Sequence, residues 1–202
     1  GFKERYLLTL TARKDGSSKL APGNKWTFFP SAAFAWRIID EHFMKNISKL
    51  SDLKLRVSYG IAGNDPSGPY ATQTTLTRIA FGFDEVAYPA YTFSRNVGNA
   101  ALGWELSATQ NLGLDFGLFD GRINGSVDYY DTRTSDLLLD RGLTPTTGVT
   151  TVKQNIGKTR NRGIEVVLGS TNIRTADFTW NSSLTFTKNK EQITELVTEG
   201  ND

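Results

Sequence analysis

The sequence predicts an all-β fold of antiparallel, up-and-down strands. Three observations predict it: apolar residues recur at every second position, helical periodicity is scarce, and turn signals punctuate the alternating rows. The stretch LGLDFGLFDGRINGSVDYYD, residues 112–131, shows all three in miniature. Leu112, Leu114, Phe116 and Leu118 alternate with Gly113, Asp115 and Gly117. Beyond Asp120-Gly121 the apolar parity passes to Ile123, Val127 and Tyr129. A two-residue Asp-Gly turn of type I′ fits, because both of its positions take positive φ.

The other rows follow in chain order. Tyr6, Leu8, Leu10 and Ala12 form the first, closed by Asp15-Gly16-Ser17-Ser18. Trp26, Phe28, Pro30, Ala32, Phe34 and Trp36 form the second. Leu53, Leu55, Val57, Tyr59 and Ile61 form the third, with Lys54, Arg56 and Ser58 between them. The segment from Trp104 to Leu118 is the fourth, and the row after Asp120-Gly121 is the fifth. Ile164, Val166 and Leu168 make the sixth; Phe178, Trp180, Ser182, Leu184 and Phe186 make the seventh. A short helical turn is expected around 40–49.

The apolar rows carry almost no charge, with Asp131 the nearest exception. Arg or Lys at mid-membrane on a lipid-facing strand costs roughly 2–4 kcal/mol, and a sandwich core excludes charge as well. Alternation therefore leaves two coverings open, lipid or a second protein layer. The connections favour lipid. Short links are expected at 120–121 and 171–177, and long ones at 63–103 and 134–160, which places the long links on one side, as in outer-membrane barrels; the links after the first and second rows fit this less well, the first being only a moderate loop and the second too long for a tight turn. Aromatics gather near the row ends, at Trp26, Trp36, Trp104, Phe119, Tyr129, Tyr130, Phe178 and Phe186. Rings with an apolar body and a polar edge favour the membrane–water boundary, although aromatics also suit strands in general.

Composition narrows the chemistry. Across 202 residues, 23 basic side chains nearly balance 21 acidic ones, so nucleic acid is not an expected partner. The absence of Cys excludes disulfides, thiolate metal sites and Cys nucleophiles. His42 is the only histidine, and a lone histidine on a link reads as a polar surface residue, so neither a Ser-His-Asp arrangement nor a zinc site is expected. Asp115 and Asp128 share one wet face and invite an acid/base reading, but a water-filled lumen needs such residues anyway. No enzyme and no cofactor is expected. The longest apolar run, Ala32 to Trp36, is far below the ~18 residues of a spanning helix. The opening Gly-Phe-Lys reads as cut from something longer.

The wording of the chain resembles SusC/RagA-type TonB-linked outer-membrane proteins of Bacteroidetes. The resemblance lies in NAALGWELSATQNLGLDFGLFDGRINGSVDYYDTRTSDLLL, with Asn99-x-x-Leu102-x-Trp104-Glu105 leading into the hairpin and Asp128-Tyr-Tyr following it. NIGKTRNRGIEVVL, with Asn161-x-Gly-Ile-Glu165, is similar to the family's next strand. ARKDGSSKLAPGNKWTFFPSAAFAWRI and LSDLKLRVSYGIAGN resemble the preceding hairpins; the least family-like part is 65–98.

The resemblance implies that residues 1–202 are about seven strands of a 22-stranded transmembrane barrel. It implies an importer of oligosaccharides or peptides that works with a SusD-like lipoprotein and is driven by TonB–ExbB–ExbD. The plug, TonB box, N-terminal extension and closing strand are expected to lie outside these residues. Its other partners are then outer-membrane lipid and the remainder of the barrel and plug. Arg56, Glu105, Asp115, Asp128 and Glu165 are expected to face the lumen. Phe81, Phe83, Tyr88, Tyr91 and Phe93, in the link around 80–95, are candidate contacts for ligand or lipoprotein. A soluble β-sandwich that binds carbohydrate is the competing reading, and a non-transporting surface barrel or adhesin the third.

Overall fold

The computed structural model describes residues 1–83, 86–94, 96–144, 146 and 148–196. Its strands are β1 (Tyr6–Gly16), β2 (Trp26–Arg37), β3 (Leu50–Asn64), β4 (Leu76–Phe83), β5 (Val86–Phe93), β6 (Asn96–Val97), β7 (Glu105–Leu118), β8 (Ile123–Gly142), β9 (Thr151–Arg174) and β10 (Thr179–Glu195). Seven long strands pair in the order β1-β2-β3-β7-β8-β9-β10, and β6 adds a short pairing to β9. Every step between long strands is antiparallel. β1 and β10 are the two edges, so the sheet does not close on itself.

The register aligns all the apolar rows on one face. Tyr6 lies opposite Trp36, which lies opposite Leu55, then Leu114, Val127, Val166 and Phe186. The next line runs Leu8, Phe34, Val57, Leu112, Tyr129, Ile164 and Lys188. A one-residue slip at any step would turn a row to the other face. No second layer covers this face among the described residues. Leu8, Leu10, Phe34, Val57, Leu112, Tyr129, Leu184 and Phe186 are all exposed.

The apolar band does not run along the hydrogen-bonded lines; it slides across them. It is centred between Leu8 and Leu10 in β1, and that level corresponds to Lys188–Lys190 in β10. In β10 the band is centred near Ser182 instead. The drift over six strand-to-strand steps is therefore about one residue per step, or about 3.3 Å along the strand for each ~4.8 Å across. That ratio tilts the strands by about 35–40° from the normal to the band, the tilt a closed barrel requires. From Phe178 to Phe186 the tilted band is about 21 Å tall, against the ~25 Å apolar belt of outer-membrane barrels.

At one end of the sheet, tight connections join β7 to β8 and β9 to β10. Arg122 N–H donates to Phe119 O at 3.2 Å, closing a turn whose central residues Asp120 and Gly121 have φ of 56° and 80°. This is the type I′ geometry expected from Asp-Gly. Thr175 N–H donates to Phe178 O at 2.8 Å in the second turn. The link between β2 and β3 lies at the same end and contains two single 3-10 turns, Ile38–Asp40 and His42–Met44, where a helical turn was expected.

Two expected links differ. The stretch 134–160 is mostly strand, because β8 continues to Gly142 and β9 starts at Thr151. Register shifts between Thr134 and Leu138 break the alternation there while the backbone goes on pairing. Bulges of this kind hide a strand from a period-two reading. The stretch 63–103 is a long link, but it carries the β4–β5 hairpin within it. Among the described residues the little core sits at this end, around Leu20, Phe29 and Leu102; Met44, in the link between β2 and β3, is their other buried apolar side chain.

Candidate functional site: the polar face and the loop end

The face opposite the apolar rows is polar, and three strands tie it together through one arginine. Arg56 of β3 lies opposite Gly113 of β7, which lies opposite Asp128 of β8. Arg56 Nε donates to Asp115 Oδ1 and Oδ2 at 3.1 and 3.0 Å, and Nη2 donates to Asp115 Oδ1 at 2.7 Å. Nη2 also reaches across the middle strand to Asp128 Oδ2 at 3.0 Å. Lys54 Nζ completes the group at 2.8 Å from Asp115. The crossing depends on Gly113. A Cβ at that position would stand 2.4 Å from Asp128 Oδ1 and 2.8 Å from Arg56 Cζ. The carboxylates of Asp115 and Asp128 are thus engaged by one guanidinium, which makes this an ion network and not an acid/base pair.

Ser107 and Thr134, and Thr109 and Thr132, exchange hydroxyl hydrogen bonds at 2.9 and 3.0 Å on the same face. Asn111 Oδ1 and Asn161 Oδ1 are buried acceptors with no partner among the described residues. Glu165 is on this parity and exposed. Glu105 is buried at the loop end, where it accepts from Asn64 Nδ2 at 3.0 Å and from the Leu138 N–H at 2.8 Å. Arg56, Asp115 and Asp128 are therefore brought together, and Glu165 stands directly across the ladder from Asp128 without joining their ion pairs, while Glu105 lies apart at the loop end.

At the loop end, the 17–25 and 65–104 links are knitted into one another. Asp65 accepts from the hydroxyls of Ser17 and Ser67 and from the Ser67 N–H at 3.1 Å. Lys19 Nζ donates to Asp65 O at 2.9 Å and to Ser67 O at 2.8 Å. Burial pushes the Asp65 carboxyl up, but the hydrogen bonds from Ser17 and Ser67, with Lys19 nearby, outweigh it and hold it below the ordinary value. The residues of the Asn-x-x-Leu-x-Trp-Glu phrase all serve here. Asn99 Nδ2 donates to Lys153 O at 2.9 Å, Leu102 is fully buried, and Trp104 Nε1 donates to Lys25 O at 3.2 Å. Asn155, which no local signal marks, holds Gly103 by both its amide and its carbonyl. A depression of about 670 Å3 opens between the two links, lined by Lys19, Leu20, Pro22, Tyr70 and Gln73 among others.

The candidate aromatic contacts fall on the β4–β5 hairpin, where Phe81 lies opposite Tyr88, Arg78 opposite Tyr91 and Leu76 opposite Phe93. Tyr88 and Tyr91 are exposed. The side chains of Phe81, Phe83 and Phe93 lie outside the described residues.

At the tight-turn end, the first aromatics of the band converge on one carboxylate. Tyr6 Oη donates to Glu41 Oε1 at 2.5 Å, Trp36 Nε1 donates to it at 3.1 Å, and Arg5 Nη1 donates to Oε2 at 3.2 Å. The Tyr6 hydroxyl, then the Trp36 indole, hold Glu41 below the ordinary carboxylate range. Rings whose apolar bodies join the band and whose polar tips are tied at its edge fit a membrane boundary.

Comparison with known proteins agrees with this geometry. The model of the family described as TonB dependent receptor-like, beta-barrel matches residues 1–202. TonB-dependent receptor SusC of Bacteroides thetaiotaomicron is 40% identical over 207 residues, covering 98% of this chain and 20% of its own length. TonB-dependent receptor P26 of Formosa agariphila is 39% identical over 195 residues, covering 96% of this chain and 20% of its own. The structure of the RagAB peptide importer in its closed-closed state superposes with a TM-score of 0.88 at 30% identity, over 100% of this chain and 22% of that one. The chain thus spans about a fifth of the length of the relatives it matches. A seven-strand sheet with one lipid-compatible face, one networked polar face and this superposition has one assignment: the chain belongs to the TonB-dependent receptor β-barrel family, as a SusC/RagA-like segment of the barrel.

Proposed function

We propose that this segment forms part of the wall of an outer-membrane importer for oligosaccharides or peptides that works with a SusD-like lipoprotein. In this reading the apolar face wets lipid, and the Arg56–Asp115–Asp128 face lines the lumen with Glu105 and Glu165. The knitted loop end and the β4–β5 hairpin meet ligand or lipoprotein outside the cell. The plug, TonB box and closing strand come from elsewhere in the receptor, and TonB–ExbB–ExbD supplies the work. The observation that carries the reading is the apolar band, continuous over seven strands and sliding by about one residue per strand. Its open edges support the same view, since each unpaired backbone group in hydrocarbon costs several kcal/mol and neighbouring strands have to cover them. A soluble sandwich would bury that band under a second sheet, and no such layer is present among the described residues.

Substitution by parity tests this reading. In the complete receptor, Leu55→Arg or Leu114→Arg places a cation in the band at a cost of roughly 2–4 kcal/mol near mid-membrane. Arg56→Leu and Asp115→Asn alter only the polar face. Folded receptor in the outer-membrane fraction, read by heat-dependent gel mobility, is expected to fall sharply for the first pair and little for the second. Equal tolerance at both parities refutes the assignment.

A further inference from the structure

The outward face is not apolar along its whole height. Beyond the band, on the side of the long link, the same parity of β8, β9 and β10 turns cationic within one residue pair. Tyr129 and Ile164 face each other, with Lys188 next in line. The line above runs Asp131, Arg162 and Lys190, and the one above that Arg133, Arg160 and Gln192. Five cations thus gather around one carboxylate. Asp131 binds Arg160 tightly and lies 3.9 Å from Arg133. Arg162 stands across the ladder from Asp131, and its guanidinium reaches Gln192 Oε1 at 3.4 Å; among the described residues no carboxylate comes within ion-pair distance of Arg162, Lys188 or Lys190.

Fold stability does not explain this arrangement. Arg133 stands directly opposite Arg160, and like charges opposed across a ladder are destabilising. A groove of about 240 Å3 lies at the edge of the cluster, with Tyr129, Ile164 and Lys188 on one level and Arg162 and Lys190 on the next. Its apolar part suits an acyl chain or a sugar ring edge, and its cationic part offers a planar guanidinium and two ammonium groups to an anion. Guanidinium and ammonium groups together match phosphate oxygens.

We propose that Arg162, Lys188 and Lys190, with Arg133 and Arg160 beside them, bind the phosphorylated headgroup of an outer-leaflet lipid. The proposal rests on the membrane reading above, since that reading sets these cations at headgroup depth on the outer side. Cations there cost little, because the penalty for a charged side chain on the lipid face fades from mid-membrane toward the interface. Asp131 pre-orders two of the arginines and leaves the net positive charge for the lipid.

The test uses the complete receptor in detergent micelles supplied with lipid A carrying phosphates or with the same lipid dephosphorylated, and counts retained lipid by native mass spectrometry. Heat-dependent mobility is measured on every sample, so a failure to assemble is seen separately from a failure to bind. The wild-type receptor is expected to retain the phosphorylated lipid about tenfold or more over the dephosphorylated one. The triple variant Arg162→Gln/Lys188→Gln/Lys190→Gln is expected to lose most of that preference while remaining folded. Should the triple variant fail to fold, the lipid pair on the wild-type receptor and the single variant Lys190→Glu carry the test. Equal retention of the two lipids, undiminished retention by a folded variant, or displacement of the lipid by inorganic phosphate alone overturns the proposal.

Discussion

Gly113→Ala is the sharpest probe of the polar face. The added methyl would sit 2.4 Å from Asp128 Oδ1 and 2.8 Å from both Arg56 Cζ and Nη2, so the arginine can no longer cross the middle strand. Its bonds to Asp115, on its near side, can survive; its 3.0 Å bond to Asp128 cannot. Losing a charge-assisted hydrogen bond costs roughly 1.5–3 kcal/mol where both groups are buried. Both groups are partly solvated here, which brings the figure to the lower end or below. Relief of glycine's conformational freedom returns about 0.5–1 kcal/mol. The net expected loss is about 1 kcal/mol. The assay is the urea midpoint of the complete receptor in lipid, with Gly103→Ala as the control, because nothing lies within 4 Å of a Cβ built there. A cycle with Asp128→Ala isolates the cause: with that carboxylate removed, Gly113→Ala should cost much less. If the cost is unchanged in the Asp128→Ala background, or if Gly113→Ala behaves like Gly103→Ala, the account of the crossing arginine is wrong.

Further outcomes follow from the loop end. Asp65 has a lowered carboxyl pKa in the folded state, so its contribution is present above the ordinary carboxylate value and is lost as pH falls through the folded one. Hydrogen exchange in 17–25 and 65–71, corrected for intrinsic rates, should therefore accelerate only at acidic pH; Asp65→Asn should exchange fast throughout and lose that dependence. Tyr88→Ala combined with Tyr91→Ala removes the two exposed rings described on the β4–β5 hairpin. Assembly of the receptor should be unaffected, while ligand uptake or lipoprotein capture should fall severalfold; unchanged uptake and capture would remove the hairpin from the proposed contact surface.

Much of this was legible in the sequence because a strand exposes one face at every second residue. The alternation of Leu53–Ile61 and Leu112–Leu118, and the Asp120-Gly121 turn, are local signals that local geometry satisfies. The upper halves of β8 and β9 were not legible. Their polar residues and the bulge near Leu137 erase the period, while pairing with a distant strand keeps the backbone extended. The β4–β5 hairpin was missed because its partners contribute no clean alternation.

The sequence by itself determined that the chain forms strands with one apolar face and where the tightest turn lies. Only the tertiary structure decided the register. Register sets Arg56 beside a glycine so that it can reach Asp128, joins Ser17 to Asp65, and gathers Arg162, Lys188 and Lys190 above the band. The physical reason is that hydropathy fixes the face a side chain takes, one residue at a time. Which charge stands beside which depends on pairings between strands tens of residues apart, and no local pattern encodes them.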